Sequence, residues 1–279
     1  IAILSFYSGH WSRGVETWAA NLKRRLPFVN IISGFQVYNP FKYLASDTII
    51  PTGGRFEALL CRIFTLIAGK PMIVFGHSGP GADDKWNLLC SPNVFVAFST
   101  PQAEWAGRFK LPWTKIVVIP HAVDTKVFAP NGKIKKTVDI LCVAANSPDK
   151  RVDLVRLAAV NLRVVGSGQP DQVPFEQMPQ VYNQARVFCF VPQPWEAFGL
   201  VFLEAMACNL PIVTIDDPVR REIVGDAGVF VKNPEDANVL AAAIKQALNT
   251  DWGDKPRRQA AKFSWDKIAK LYDLCFHNC

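Results

Sequence analysis

The stretch Glu196-Ala-Phe-Gly-Leu-Val-Phe-Leu-Glu204 joins an unbroken apolar run, Val187-Phe-Cys-Phe-Val191, to helix-spaced apolar residues at Phe198, Leu200, Val201, Leu203, Ala205 and Met206. A run apolar at every position suits a strand covered on both faces, as in a parallel sheet. Pro192-Gln-Pro-Trp195 makes the turn between strand and helix. Glu196 is therefore expected in the strand-to-helix loop, and Glu204 about two turns down the helix. The amides of Phe198, Gly199 and Leu200 fall at the helix N-terminus, where unpaired N–H groups favour an anion. Hydroxyl-accepting acids beside a phosphate-ready helix start would seat a sugar nucleotide. The plainer reading is an acid that offsets the helix dipole and a second Glu on the surface.

Working outward, strand and helix patterns alternate on both sides of this loop. The first half opens with a strand at 1–6 and a helix at 15–26, whose Val15, Trp18, Leu22 and Leu26 share one face. Strands are predicted at 29–32, 72–75, 94–98 and 116–119, and helices at 55–68 and 102–109. Residues 120–137 are polar and turn-rich. The alternation then restarts with strands at 138–143, 162–165, 187–191, 211–215 and 228–231. Helices are expected between or after them at 151–160, 178–185, 198–208, 235–248 and from 265 to about 276. Alternation of this kind predicts α/β architecture with two doubly wound sheets and a boundary near residue 130. Ligands of such sheets bind at the carboxyl ends of the strands, and two domains facing each other would create a cleft.

The 279 residues, 49% hydrophobic and 20% charged, indicate a folded protein of two ordinary domains. No apolar run is long enough to span a bilayer, and no signal peptide is visible at Ile1. Seven cysteines lie far apart, with Cys61, Cys142, Cys189 and Cys208 in apolar elements. None forms a Cys-x-x-Cys pair, so neither a zinc site nor a disulfide framework is expected, and a reducing cytoplasm is. Residues 1–130 carry 13 Lys and Arg against seven Asp and Glu, whereas the remainder carries 18 against 17. The basic excess of the first part points to an anionic membrane surface, a phosphorylated acceptor or nucleic acid, or to a solvated basic face. Nucleic acid is the weakest of these, because the interleaved aromatic and basic platform of single-strand binders is missing. An amphipathic helix with Leu59, Leu60, Ile63, Phe64 and Ile67 beside Arg55, Arg62 and Lys70 fits an anionic membrane, and equally a helix packed on a sheet.

Six ordered segments resemble glycosyltransferase family 4, of the GT-B architecture. Ile119-Pro-His-Ala-Val-Asp-Thr-Lys-Val-Phe128 resembles the family's interdomain segment, with His121 where Asn is common. Leu162-Arg-Val-Val-Gly-Ser-Gly168 resembles its second strand and glycine turn, and Met178-Pro-Gln-Val-Tyr182 the helix before the signature. Glu196 to Pro211 is similar to the signature itself, and Glu222-Ile-Val-Gly-Asp-Ala-Gly228 to the element after it. In the first domain, Arg13-Gly14-Val15-Glu16 stands where a Gly-Gly pair is usual.

The resemblance implies a retaining transferase of two Rossmann-like domains. Residues 1–130 would face the acceptor, 131–258 would bind the nucleotide sugar, and 259–279 would form a C-terminal helix packing back on the first domain. Glu196, Lys150 and His77 would be catalytic. Gly14, Arg13, Arg151, Gly166, Phe198, Gly199, Leu200, Val201 and Glu204 would bind the donor. Glu196 would accept from sugar hydroxyls, Glu204 from the ribose diol, and Lys150 with the helix amides would hold the diphosphate. His77 follows an apolar strand, where the family places a residue that faces the sugar. The arginine that the family usually carries five residues before this lysine is Ala145 here, and Arg151 and Arg13 are the available substitutes. The donor is expected to be a UDP-sugar, with GDP-sugar next, and the acceptor a hydroxyl of a glycan, a lipid-linked saccharide or a protein-linked one. No metal or other cofactor is implied, in keeping with the missing Asp-x-Asp motif. A non-catalytic module that binds sugar nucleotides is the alternative that Ala145 keeps open.

Overall fold

The computed structural model describes residues 1–8 and 14–277. The chain divides into two compact units, one of residues 1–120 with 266–279 and one of 121–265. The division thus falls ten residues before the boundary expected near 130. The segment 121–130 joins the second unit because Val123 bridges Ser264 and the Arg257 guanidinium donates to the carbonyls of Thr125 and Phe128. The C-terminal stretch from Asp266 belongs to the first unit.

In the first unit short strands and helices alternate: β1 (Ala2–Leu4), α1 (Gly14–Arg25), β2 (Asn30–Ile32), α2 (Pro40–Tyr43), β3 (Ile49–Pro51) and α3 (Phe56–Ile67). They continue through β4 (Ile73–Phe75), α4 (Ala82–Leu89), β5 (Val94–Ala97), α5 (Thr100–Gly107) and β6 (Lys115–Val118). All pairings are parallel, in the orders β2-β1-β3 and β4-β5-β6, and a parallel bridge from Ile49 to Met72 joins the two groups. The order reverses between β1 and β3, which makes that the switch point of this sheet. The central strands are apolar on both faces, with Ile3, Ile50, Val74 and Phe95 all buried. Helix α12 (Trp265–His277) closes on this unit through Tyr272, whose hydroxyl accepts from the Trp18 indole at 3.0 Å.

The second unit holds β7 (Val138–Val143), α6 (Val152–Ala158), β8 (Leu162–Val165), α7 (Met178–Asn183), β9 (Ala185–Cys189), α8 (Leu200–Ala207) and β10 (Ile212–Ile215). Then come α9 (Pro218–Val224), β11 (Gly228–Val231), α10 (Ala237–Asn249) and α11 (Lys255–Lys262). Its parallel sheet runs β11-β10-β9-β7-β8, so the switch point lies between β7 and β9. The loops leaving those two strands contain Lys150 and Glu196. Fold topology alone therefore brings the two expected catalytic groups of this unit to one crevice.

Short elements account for the differences from the predicted pattern. Strand β3, three residues long, and helices α2, α4, α9 and α11 are absent from the sequence-based pattern. The signature helix starts at Leu200 rather than 198, because Gly199 adopts φ 86°, a left-handed conformation outside the helix.

Candidate active site

Lys150 ends a single 3-10 turn after β7, and Glu196 lies in the loop after β9. The Gln193 amide donates to the Asp149 carbonyl at 3.0 Å, which ties the two loops together. Across this tie the Lys150 ammonium donates to Glu196 Oε2 at 2.6 Å and lies 3.1 Å from Asp149 Oδ2. Burial works against the charge on Lys150, but the Glu196 and Asp149 carboxylates outweigh it and raise the lysine above its ordinary value. Lys150 is therefore a fixed cation at neutral pH, with a carboxylate waiting beside it.

The backbone carbonyl of Glu196 is gripped from below by a residue that the sequence reading passed over. Arg220, fully buried on α9, donates to the carbonyls of Glu196 at 2.8 Å and Pro194 at 3.1 Å. Its own charge is met by Asp217, which also caps α9 by accepting from the Arg220 amide. The signal was present in Asp217-Pro218-Val-Arg220, an N-cap followed by a proline at the first helical position. Arg220 sets where the 194–196 loop sits and is a positioning residue.

Helix α8 begins without a side-chain cap. Its first amides, at Leu200 and Val201, and that of Gly199 lie three to five residues after Glu196. Phe198 is buried in an edge-on ring contact with His121, centroids 5.3 Å apart, so both are packing residues of this corner. A β-carbon at Gly199 would fall 2.7 Å from the Phe202 ring, so glycine is required by space as well as by φ. Glu204 is half-buried one side of the same helix, and Oε2 accepts from the Tyr182 hydroxyl at 2.7 Å. Burial pushes this carboxyl up to about 7, against the hydrogen bond from Tyr182.

Two of the expected donor-binding residues have other work. The Arg151 guanidinium is paired with Glu235, which leaves it engaged rather than free to replace the missing arginine. Arg151 itself has a left-handed backbone, φ 51°, where the chain turns into α6. Gly166, at φ 155°, lies so close to the exit of β7 that a β-carbon would stand 2.1 Å from the Ala144 carbonyl oxygen. Sheet packing by itself accounts for glycine there.

The remaining expected residues belong to the first unit. Gly14 is the first residue of α1. Arg13 lies outside the described residues, as does His10. His77 follows β4 at its carboxyl end, within ring contact of Trp18, Phe75 and Phe98 at 5.1, 5.9 and 5.0 Å. Burial drives its imidazole down to about 3, so the ring is neutral in the physiological range and carries no acidic proton to give. At the β1/β3 switch point a cavity of about 400 Å³ is lined by residues that include Phe6, Tyr7, Tyr38, Phe56, Glu16 and Glu57. Glu16 Oε2 is buried with no hydrogen-bond partner among the described residues, and the Glu57 carboxyl accepts from the Gly53 amide at 3.0 Å.

The fold and site define a class: two parallel α/β units, the second with a cation, a carboxylate and uncapped helix amides at its switch point. Comparison with known proteins gives that class a family. A family model described as "Glycosyl transferases group 1" matches residues 169–264, which contain β9, the Glu196 loop and α8. An uncharacterized glycosyltransferase of Methanocaldococcus jannaschii is 31% identical over 287 residues, covering 90% of this chain and 70% of that protein. O-antigen chain mannosyltransferase B of Escherichia coli is 40% identical over 99 residues, 34% of this chain and 26% of that protein. The chain thus spans about a quarter of the length of this relative. Among solved structures, Anabaena Alr3699/HepE in complex with UDP and glucose superposes with a TM-score of 0.81 at 12% identity, over 100% of this chain and 99% of that one. The chain belongs to the glycosyltransferases, with a GT-B fold and a group 1 domain in its second unit.

Proposed function

We propose that the chain moves a sugar from a nucleoside-diphosphate donor to a hydroxyl acceptor with retention at the anomeric carbon. The observation that carries this is the Lys150–Glu196 pair at the β7/β9 switch point, next to the uncapped start of α8. The diphosphate would take the place of Glu196 as the partner of Lys150, assisted by the amides of Gly199, Leu200 and Val201. Freed from the lysine, Glu196 would accept from sugar hydroxyls, and Glu204 from the ribose diol through the oxygen Tyr182 leaves open. As the bond from anomeric carbon to phosphate oxygen breaks, its electron pair leaves with the diphosphate. The acceptor oxygen forms the new bond on the same face, and its proton passes to the departing phosphate oxygen. Lys150 and the amides stabilise the charge that develops there, worth about 3–4 kcal/mol per well-placed donor by analogy with oxyanion holes.

A UDP-sugar is the first choice of donor, supported by the UDP-bound HepE structure, and a GDP-sugar the second. The acceptor hydroxyl would belong to a glycan or a lipid- or protein-linked saccharide, and the first unit's cavity, with its aromatic rings and acids, would suit it. The lysine and helix amides answer the diphosphate charge without a metal, so transfer is expected to persist in EDTA. His77, neutral by burial, would act through hydrogen bonding or its backbone rather than as an acid.

The test is an incubation with UDP- and GDP-sugars, with NMR of the anomeric product. Release of nucleoside diphosphate with retained configuration supports the proposal, and inverted product overturns the retaining step. Ala145 and the engagement of Arg151 by Glu235 favour one other reading, a module that binds the sugar nucleotide without turning it over. Donor binding with neither transfer nor hydrolysis would establish that reading instead.

A further inference from the structure

Helix α3 packs Ala58, Cys61 and Phe64 on the core, yet turns a larger apolar face outward. At 100° per residue, Phe56, Leu59, Ile63, Leu66 and Ile67 fall in one arc of about 100°, and all five are exposed. Leu66 is 62% and Ile67 80% exposed. The opposite, buried face carries Glu57, Ala58, Cys61 and Thr65. An ordinary surface helix places these chemistries the other way round. Burial raises the Glu57 carboxyl above its ordinary value, its one described partner being the Gly53 amide, while five large apolar groups on the other face stand in water.

The apolar surface extends past the helix. Phe56 and Tyr38 both line the cavity at the β1/β3 switch point, so the N-terminal end of the stripe meets the turn at Gly34–Tyr38. Phe35 in that turn is 82% exposed, and Phe41, just beyond it, 90%.

Charge selects the occupant. This unit holds 14 Lys and Arg against eight Asp and Glu, a formal excess of +6, and two of those acids, Glu57 and Asp84, are buried. The one charged residue midway along α3 that is not buried is Arg62, itself half-buried and donating to Asn93 at 3.0 Å, with Arg55 and Lys70 at the two ends. Arg55 is paired with Asp83, and Lys70 lies 3.8 Å from Asp47. A second copy of the chain would set +6 against +6. One hydrophobic groove of a folded partner could take such a helix face, but only an anionic acyl and headgroup boundary also complements the unit's positive excess.

We propose that the first unit docks on an anionic lipid surface through the outer face of α3, with Phe35 and Phe41 beside it. This goes beyond sugar transfer and stands whether or not the transferase reading holds. Because Phe56 belongs to both the stripe and the cavity rim, docking sets the cavity mouth at the headgroup level.

The experiment is co-sedimentation of the full chain with vesicles of phosphatidylglycerol and phosphatidylcholine in equal parts, and with phosphatidylcholine alone, at low and high salt. Ile63→Ser/Leu66→Ser/Ile67→Ser is compared with the wild type, with circular dichroism as the control for folding. The wild type is expected to bind the mixed vesicles at low salt, and the triple variant to lose at least about tenfold in affinity while keeping its fold. A wild type that stays in the supernatant, or a variant that binds equally, overturns the proposal. So does a wild-type dimer, by light scattering without lipid, that the variant converts to monomer. Should the triple variant unfold, Leu66→Glu alone carries the same comparison.

Discussion

At the residue scale the site is a competition for one ammonium group. Lys150 is held by Glu196 at 2.6 Å, so in the proposed binding mode a donor diphosphate would displace a carboxylate already in place. Removing the lysine is expected to cost about 1.5–3 kcal/mol of donor binding, as for a hydrogen bond to a charged group. Under the proposed roles, removing the carboxylate would have two opposing effects: the lysine would be released for the diphosphate, and a sugar contact would be lost. Glu196→Ala is therefore predicted to hold the nucleoside diphosphate at least as tightly as the wild type, yet to turn over the sugar donor far more slowly. Equal losses of diphosphate and sugar-donor binding would contradict this division of roles.

Glu204 gives a prediction about stability. Its carboxyl stands at about 7 in the folded chain against an ordinary 4.5, so the folded state holds its proton more tightly than the unfolded state does. Folding stability is therefore lost as pH rises from 4.5 to about 7, and the loss is complete above that. Glu204→Gln should remove this loss and raise stability near pH 8 by about 2 kcal/mol, with little change near pH 4. Asp84, buried on α4 and also lifted to about 7, titrates in the same direction, so the comparison is made as a difference between variant and wild type in urea melts. An unchanged difference across pH would show that Glu204 does not titrate there.

At the scale of elements, the loop after β9 depends on a glycine in front of α8 and an arginine behind the turn. Gly199→Ala meets both a left-handed φ and the Phe202 ring and is expected to destabilise the second unit by about 1–3 kcal/mol. Arg220→Lys keeps the charge but loses the fork that reaches two carbonyls and Asp217 at once. Its expected result is a raised KM for the donor, with a smaller change in turnover. Turnover lost at unchanged KM would argue that Arg220 does more than position the loop.

Elements were legible where apolar periodicity was long or uninterrupted. The run at 187–191 and the pattern after it placed Glu196 at a strand's carboxyl end, and the alternation around them predicted the parallel sheet. Shorter or polar elements left a fainter trace. Strand β3 is three residues ending in proline, α11 opens Lys-Pro-Arg-Arg, and α4 follows Gly-Pro-Gly with two aspartates in its first turn. Within the site, residue type indicated which groups could meet a sugar nucleotide, but the partners were invisible. That Arg151 would turn to Glu235, Glu204 to Tyr182, and Arg220 to two backbone carbonyls follows from three-dimensional packing of segments far apart in sequence. In α3 the apolar pattern was plain, but only the fold told which side of the helix faced water.

At the scale of the whole molecule, charge is divided between the units, with the +6 excess in the first and +1 in the second. A chain of net +7 meeting an anionic donor should associate more slowly as salt rises, and stopped-flow nucleotide binding at increasing ionic strength would show it. A salt-independent association rate would confine the electrostatics to the immediate surroundings of Lys150. The central claim is that the β7/β9 switch point of the second unit holds a nucleoside diphosphate on Lys150. Titration calorimetry of UDP and of GDP into the wild type and into Lys150→Ala tests it most directly. The account predicts that one of the two nucleotides binds the wild type and that the variant binds it about tenfold or more weakly. Binding of neither nucleotide, or equal affinity in the two proteins, would contradict it.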